Sequence, residues 1–139
     1  MNLTSRRTGF TLIELIVVIA LVAVLAAVVA PNLLGRAGEA KRQSTTIQLE
    51  KVVSAVELYR LETGRYPDKL ADLVQRPNGL KQWNGPYLRK LSQLKDPWGH
   101  ELVIQRPGKS GPFDVISLGG DGQAGGDGDA ADISSADDS

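Results

Sequence analysis

Cysteine is absent from all 139 residues, which excludes disulfide staples, thiolate zinc sites and cysteine nucleophiles together. Histidine occurs once, as His100, and there is no Gly-x-Ser-x-Gly elbow, so no familiar catalytic constellation can be assembled. Aromatic residues number only seven and are not interleaved with a basic patch, which argues against a nucleic-acid partner. The length leaves no room for a large multidomain enzyme and fits one modest domain with appendages. The final 29 residues contain no Lys or Arg. Residues 111–139 carry seven Asp, whereas 1–110 carry all 16 bases with nine acids, so a net charge of zero conceals a +7 segment followed by a −7 segment.

One long uncharged run stands out. Leu15 to Gly35 is built almost wholly from Leu, Ile, Val and Ala, and its length suits a helix crossing roughly 30 Å of hydrocarbon. It follows a short leader, Met1 to Gly9, that contains Arg6 and Arg7. A secretory signal is the plain competitor, but the apolar stretch outruns the usual signal core and continues as a helical pattern past Pro31. Glu14 is the anomaly: a carboxylate one turn into an apolar segment costs about 2.5–3.5 kcal/mol even on permissive scales.

Gly9-Phe10-Thr11-Leu12-Ile13-Glu14 resembles the processing site of the type IV pilin-like proteins. The resemblance implies that a prepilin peptidase cuts after Gly9 and methylates the new amine of Phe10. It also gives Glu14 a partner, the ammonium on Phe10 of a neighbouring subunit, and such a pair in low dielectric fixes axial register because either charge alone is costly.

Beyond the apolar run the sequence becomes amphipathic. Leu49, Val52, Val53, Val56 and Tyr59 recur with helical spacing, and Glu50, Lys51 and Arg60 lie between them. The pattern predicts one helix from Phe10 to Glu62, kinked or loosened at Pro31 and ended by Thr63-Gly64. Such a helix is too long to be covered by a small head, so its first half, 10–35, must find lipid or other copies of itself, while 36–63 continues as the amphipathic part. Prolines and glycines then mark a connecting region from Arg65 to Pro97, with a short helix expected over Lys69 to Gln75. Trp83, Tyr87 and Trp98 read as packing residues, and His100 as a turn or surface residue. Strands are expected at Glu101 to Gln105 and Phe113 to Leu118, joined by the turn-rich Arg106 to Pro112. The fold class is therefore α+β: a long N-terminal helix, membrane-spanning in its first half, packed on a small antiparallel sheet. Asp96-Pro97-Trp98-Gly99 and Gly111-Pro112-Phe113-Asp114 narrow the resemblance to the pseudopilins of type II secretion.

The segment Leu118 to Ile133 places four carboxylates among six glycines. Oxygen donors in a flexible loop suit Ca²⁺, which takes about 6–8 of them, better than the stricter octahedron of Mg²⁺. The spacing is not that of an EF-hand, since no Glu follows Glu101, and Ala130 replaces the final Asp of a nonapeptide calcium repeat. Gly120-x-Gly122-x-x-Gly125 matches the dinucleotide fingerprint formally, with no βαβ pattern around it. The resemblance implies calcium ligation by the Leu118 carbonyl, Asp121 and Asp129. Gly128 and Ala130 stand where relatives carry polar or acidic residues, which leaves open whether Asp127 and Asp132 ligate directly. Ser134 to Ser139 read as a flexible acidic tail.

These features define a structural subunit and no enzyme. The resemblance implies a single-pass inner-membrane protein with a periplasmic head (64–133), processed by prepilin peptidase and polymerised with itself into a periplasmic pseudopilus that drives protein export. Its further implied partners are minor pseudopilins and an inner-membrane assembly platform. Two other jobs fit part of the pattern: an adhesive or DNA-capturing surface pilin, which often carries a disulfide missing here, and a monomeric calcium sensor.

Overall fold

The structure is a computed structural model that describes residues 9–137, with only the helical backbone described at 29–34. The leader up to residue 8 and the last two residues of the expected tail lie outside the described residues. One helix, α1 (Leu12–Thr63), runs for 52 residues and is followed by a three-stranded antiparallel sheet, β1 (Val103–Gln105), β2 (Asp114–Ser117) and β3 (Ile133–Ser134), in that spatial order. The described residues divide into two compact units between Ala37 and Gly38.

The ends of α1 follow from local chemistry. Thr11 caps the N-terminus: its Oγ1 accepts the Glu14 N–H at 3.3 Å, and the Glu14 carboxylate accepts the Thr11 N–H at 2.8 Å. This reciprocal Thr-x-x-Glu pair satisfies two donors that the first helical turn would leave open. At the other end Gly64 takes φ = +75° and its N–H bonds the Arg60 carbonyl at 2.8 Å, the left-handed stop that glycine accepts without a Cβ clash. The helix runs without interruption across Pro31.

In the first unit apolar side chains point outward in every direction. Leu15, Ile16, Val17, Val18 and Ile19 are all at least half exposed, which over five successive residues covers the whole circumference. Among the described residues no helix is long and apolar enough to cross a membrane. The span expected over 10–35 includes 29–34, whose side chains lie outside the described residues.

In the second unit α1 supplies a stripe of buried residues, Leu49, Val52, Val56 and Tyr59, as the spacing predicts, with Val53 at its half-buried edge. Against it pack Leu70, Leu73, Leu88, Leu94, Leu102, Phe113, Val115 and Ile133. Trp83, Tyr87 and Trp98 lie against this core as expected. Trp83 donates from Nε1 to the Asp72 carbonyl at 2.9 Å, and Tyr87 meets both Tyr59 and Trp83 edge to face.

Three expectations are corrected. The helix expected over Lys69 to Gln75 is a single 3₁₀ turn, Leu70–Leu73, because Asp72 Oδ2 accepts the N–H groups of Asp68 and Lys69 and closes the turn locally. The two strands are shorter than expected: β1 starts two residues late and keeps its expected end at Gln105, and β2 loses one residue at each end. A third strand exists where a tail was expected: Ile133 pairs with Ser117 and Ser134 with Ile116, and the Ser135 N–H bonds the Val115 carbonyl at 2.9 Å. Ser134 is 4% exposed, and Asp137 accepts its N–H at 3.1 Å, so the boundary drawn after residue 133 falls within the sheet.

Candidate functional site

Two groups of residues carry the chemistry. The first is the N-terminal motif. Gly9 and Phe10 precede α1 in non-helical backbone, and Phe10 is 89% exposed. Among the described residues a Cβ built on Gly9 would meet nothing within 4 Å, so their packing does not demand glycine there. Glu14 is occupied by its own chain: besides the Thr11 N–H it accepts the Thr11 hydroxyl at 2.9 Å. The Thr11-x-x-Glu14 spacing is that of a capping box, set here at the head of an apolar run.

The second group is the loop that leaves β2 and returns as β3. Its entry is set by Asp96, which is 5% exposed. Asp96 Oδ1 accepts the N–H groups of Trp98 and His100 at 3.1 and 2.9 Å, and Oδ2 accepts the Ser117 hydroxyl at 2.7 Å. One carboxylate thus ties the Asp96-Pro97-Trp98-Gly99 turn to the end of β2. His100 follows that turn with a partly exposed side chain, and its Nδ1 lies 2.9 Å from the Gly119 carbonyl, which requires the Nδ1-protonated tautomer or the charged ring.

Leu118, half-buried, is the first residue past β2, and Gly119 and Gly122 turn the chain with positive φ. Asp121 is exposed and caps its own turn, with Oδ1 accepting the Gln123 N–H at 3.0 Å. Asp127 precedes a 3₁₀ turn, Gly128–Ala130, and its carbonyl accepts the Ala130 N–H at 3.1 Å. The Asp129 carbonyl accepts the Gly120 N–H at 2.7 Å, and Asp132 Oδ2 accepts the Gly125 N–H at 3.0 Å. These two bonds close the outgoing arm of the loop on the returning arm.

Among the described residues no three His, Cys, Asp or Glu side chains converge as a metal-holding group. The structure therefore brings Asp129 and Asp132 to the outgoing arm without gathering the four carboxylates around one point. The donor chemistry still suits a hard cation, since carboxylate and carbonyl oxygens are all the loop offers. In addition, Asp132 Oδ1 is buried with no hydrogen-bond partner among the described residues, an acceptor whose desolvation they leave uncompensated. Sequence reasoning missed Arg42, on α1, whose Nη1 donates to the Gly128 and Ala131 carbonyls at 3.1 and 3.2 Å. Nothing in its local sequence announces a contact 86 and 89 residues away.

Comparison with known proteins covers both groups. The family described as type II secretion system, protein G, matches residues 32–136, and the prokaryotic N-terminal methylation motif matches residues 4–30. A relative named type II secretion system core protein G from Xanthomonas campestris pv. campestris is 39% identical over 127 residues, covering 91% of this chain and 88% of the relative. The protein of the same name from Vibrio cholerae is 38% identical, covering 96% and 94%. Among solved structures, the crystal structure of the major pseudopilin from the type 2 secretion system of enterohaemorrhagic Escherichia coli is similar with a TM-score of 0.62 and 32% identity, over 75% of this chain and 93% of that one.

Proposed function

The chain belongs to the type II secretion system protein G family, and from this premise we propose that it is a major pseudopilin: a structural subunit, not an enzyme, that polymerises into a periplasmic fibre serving protein export. The observation that carries the reading is the division of α1, whose first part exposes apolar side chains around its whole circumference while the second builds the core of a head. A helix apolar all round requires lipid or other helices about it. The family decides against the surface pilin and the calcium sensor as alternatives.

Processing follows from the same premise. Prepilin peptidase cuts between Gly9 and Phe10, and the open space that a Cβ at position 9 would find among the described residues supports a requirement imposed by the protease. Before assembly the segment 10–35 spans the inner membrane once, with the head in the periplasm. In the fibre it exchanges lipid for neighbouring copies, and the methylated Phe10 ammonium of one subunit takes the Glu14 carboxylate of the next. Minor pseudopilins and an inner-membrane assembly platform complete the machine. The intact mass of protein extracted from membranes tests the reading: nine residues are lost and one methyl group is gained. An uncut chain, or one cut elsewhere, would refute it.

Calcium is the second part of the proposal. The Leu118 carbonyl and the carboxylates of Asp121, Asp127, Asp129 and Asp132 form the donor set, with the orphaned Asp132 Oδ1 as the supporting observation. An ion bound there stabilises the folded head by mass action, about 2.7 kcal/mol at 100 times Kd. The expected result is a melting temperature that rises on adding CaCl₂ and falls with chelator in the wild type but not in Asp121→Ala. Identical melting with and without chelator in the wild type would remove calcium from the account.

A further inference from the structure

The returning arm of the loop rests on a single face of α1. Gly38 is buried although Ala37, Glu39 and Ala40 around it are exposed, and a Cβ built on it would fall onto the Asp129 carboxylate. A glycine inside a helix works against helix formation, which alanine would favour; here it permits a close approach. Three residues on, the Lys41 ammonium lies over the Trp98 ring, 5.6 Å from its centroid. A Cβ on Gly120 would stand only 3.1 Å from Trp98 Nε1, so that ring backs the outgoing arm. One residue further, Arg42 holds the Gly128 and Ala131 carbonyls. Positions 38, 41 and 42 are neighbours on one helix face. The carbonyls that Arg42 grips flank Asp129 and Asp132, so the backbone carrying both carboxylates is fixed from outside the loop.

We propose that Gly38, Lys41 and Arg42 form a seat on α1 that positions loop 118–133 for its divalent cation, so that filling the loop also immobilises the helix turn 38–42. The inference rests on the calcium reading above and adds its positioning residues. These residues touch no ion. Arg42 acts through two main-chain carbonyls, and Gly38 acts by having no side chain. The reciprocal consequence is that an ion in the loop is sensed at the first turn of the second compact unit, which begins at Gly38.

The test uses the processed full-length chain in detergent micelles, titrated with CaCl₂ by calorimetry, with amide hydrogen exchange followed in chelator and in calcium. Arg42→Met keeps the length and loses the donors. It should weaken calcium binding at least tenfold and abolish calcium-dependent protection of the amides at 38–42. Arg42→Lys, which retains donors on a long stem, should recover most of the affinity. Gly38→Ala should also weaken binding at least tenfold and speed exchange at Gly120 and Ala130, although helix propensity alone predicts a tighter helix. Wild-type calcium affinity in both Arg42→Met and Gly38→Ala would overturn the seat and leave the calcium reading intact. A wild-type chain that shows neither binding heat nor any calcium effect on exchange would overturn the calcium reading, and the positioning role with it.

Discussion

Residues 12–28 and 45–59 belong to the same helix and both are rich in Leu, Ile, Val and Ala, yet they solve opposite problems. The second segment spaces its apolar residues at helical intervals, so Leu49, Val52, Val56 and Tyr59 disappear beneath the head while Glu50, Lys51 and Glu57 stay in solvent. The first has no polar face to keep in water. Leu12, Ile13, Leu21 and Leu25 are between 60% and 77% exposed among the described residues. Periodicity therefore tells which part of a helix is completed by its own fold, and loss of periodicity tells which part awaits something else. The single acid of the first segment sharpens the contrast, because Glu14 is satisfied by Thr11 within its own chain, and the proposed processing would give it a second use at Phe10.

The strongest way to break the comparison is to remove that charge without disturbing the helix end. Glu14→Gln keeps an oxygen acceptor for the Thr11 cap, whereas Glu14→Ala also loses the box, worth about 1 kcal/mol at a helix start. Both variants should cut the yield of sheared pseudopili on the order of 100-fold, the factor corresponding to an uncompensated ammonium in low dielectric, while the melting temperature of the head stays unchanged. Fibres from Glu14→Gln at wild-type abundance would show that the carboxylate serves only the cap. The converse experiment strikes the second region alone. Leu73 is fully buried against the α1 stripe, and Leu73→Ala should cost about 2–5 kcal/mol of head stability in denaturant titrations. Membrane insertion and processing after Gly9 should proceed as before. If unprocessed precursor accumulated as well, the two regions would not be independent.

The same contrast explains which features could be read in advance. The core face of α1, its glycine stop and the positions of β1 and β2 were legible because each rests on residues close in sequence: a 3.6-residue period, Gly64 after Thr63, and apolar runs flanked by Pro and Gly. β3 was not legible, since Ile133-Ser134 is too short to show alternation and becomes a strand only by pairing with Ile116 and Ser117. The 3₁₀ turn at Leu70–Leu73 carries the apolar spacing of a helix but is closed by Asp72 acting locally. In the loop, composition revealed the donor type. The attachments that place the loop, through His100, Asp96 and Arg42, are long-range contacts of single polar side chains, and such contacts leave no periodic trace.

The smallest expected effect concerns proton chemistry, which the uncharged run 15–35 does not offer and the head does. The Tyr87 hydroxyl donates to Glu62 Oε2 at 2.7 Å, and burial, followed by that hydrogen bond, holds its pKa above the ordinary 10.0. Tyr59 is raised as well, first by burial and then by the Asp72 charge. A phenol whose folded pKa exceeds its unfolded value binds its proton more tightly in the folded state. Its contribution to stability is complete below about pH 10 and is lost as the pH rises through the folded pKa. Tyr87→Phe removes one of the two titrations together with a solvent-exposed hydrogen bond, so it should lower stability at pH 7 by about 0.5–1.5 kcal/mol. It should also make the further loss between pH 9 and roughly pH 12 shallower than in the wild type. Unfolding midpoints that fall in parallel for the two proteins across that window would show that the Tyr87 proton does not couple to folding, leaving Tyr59, in the α1 stripe, as the phenol that does.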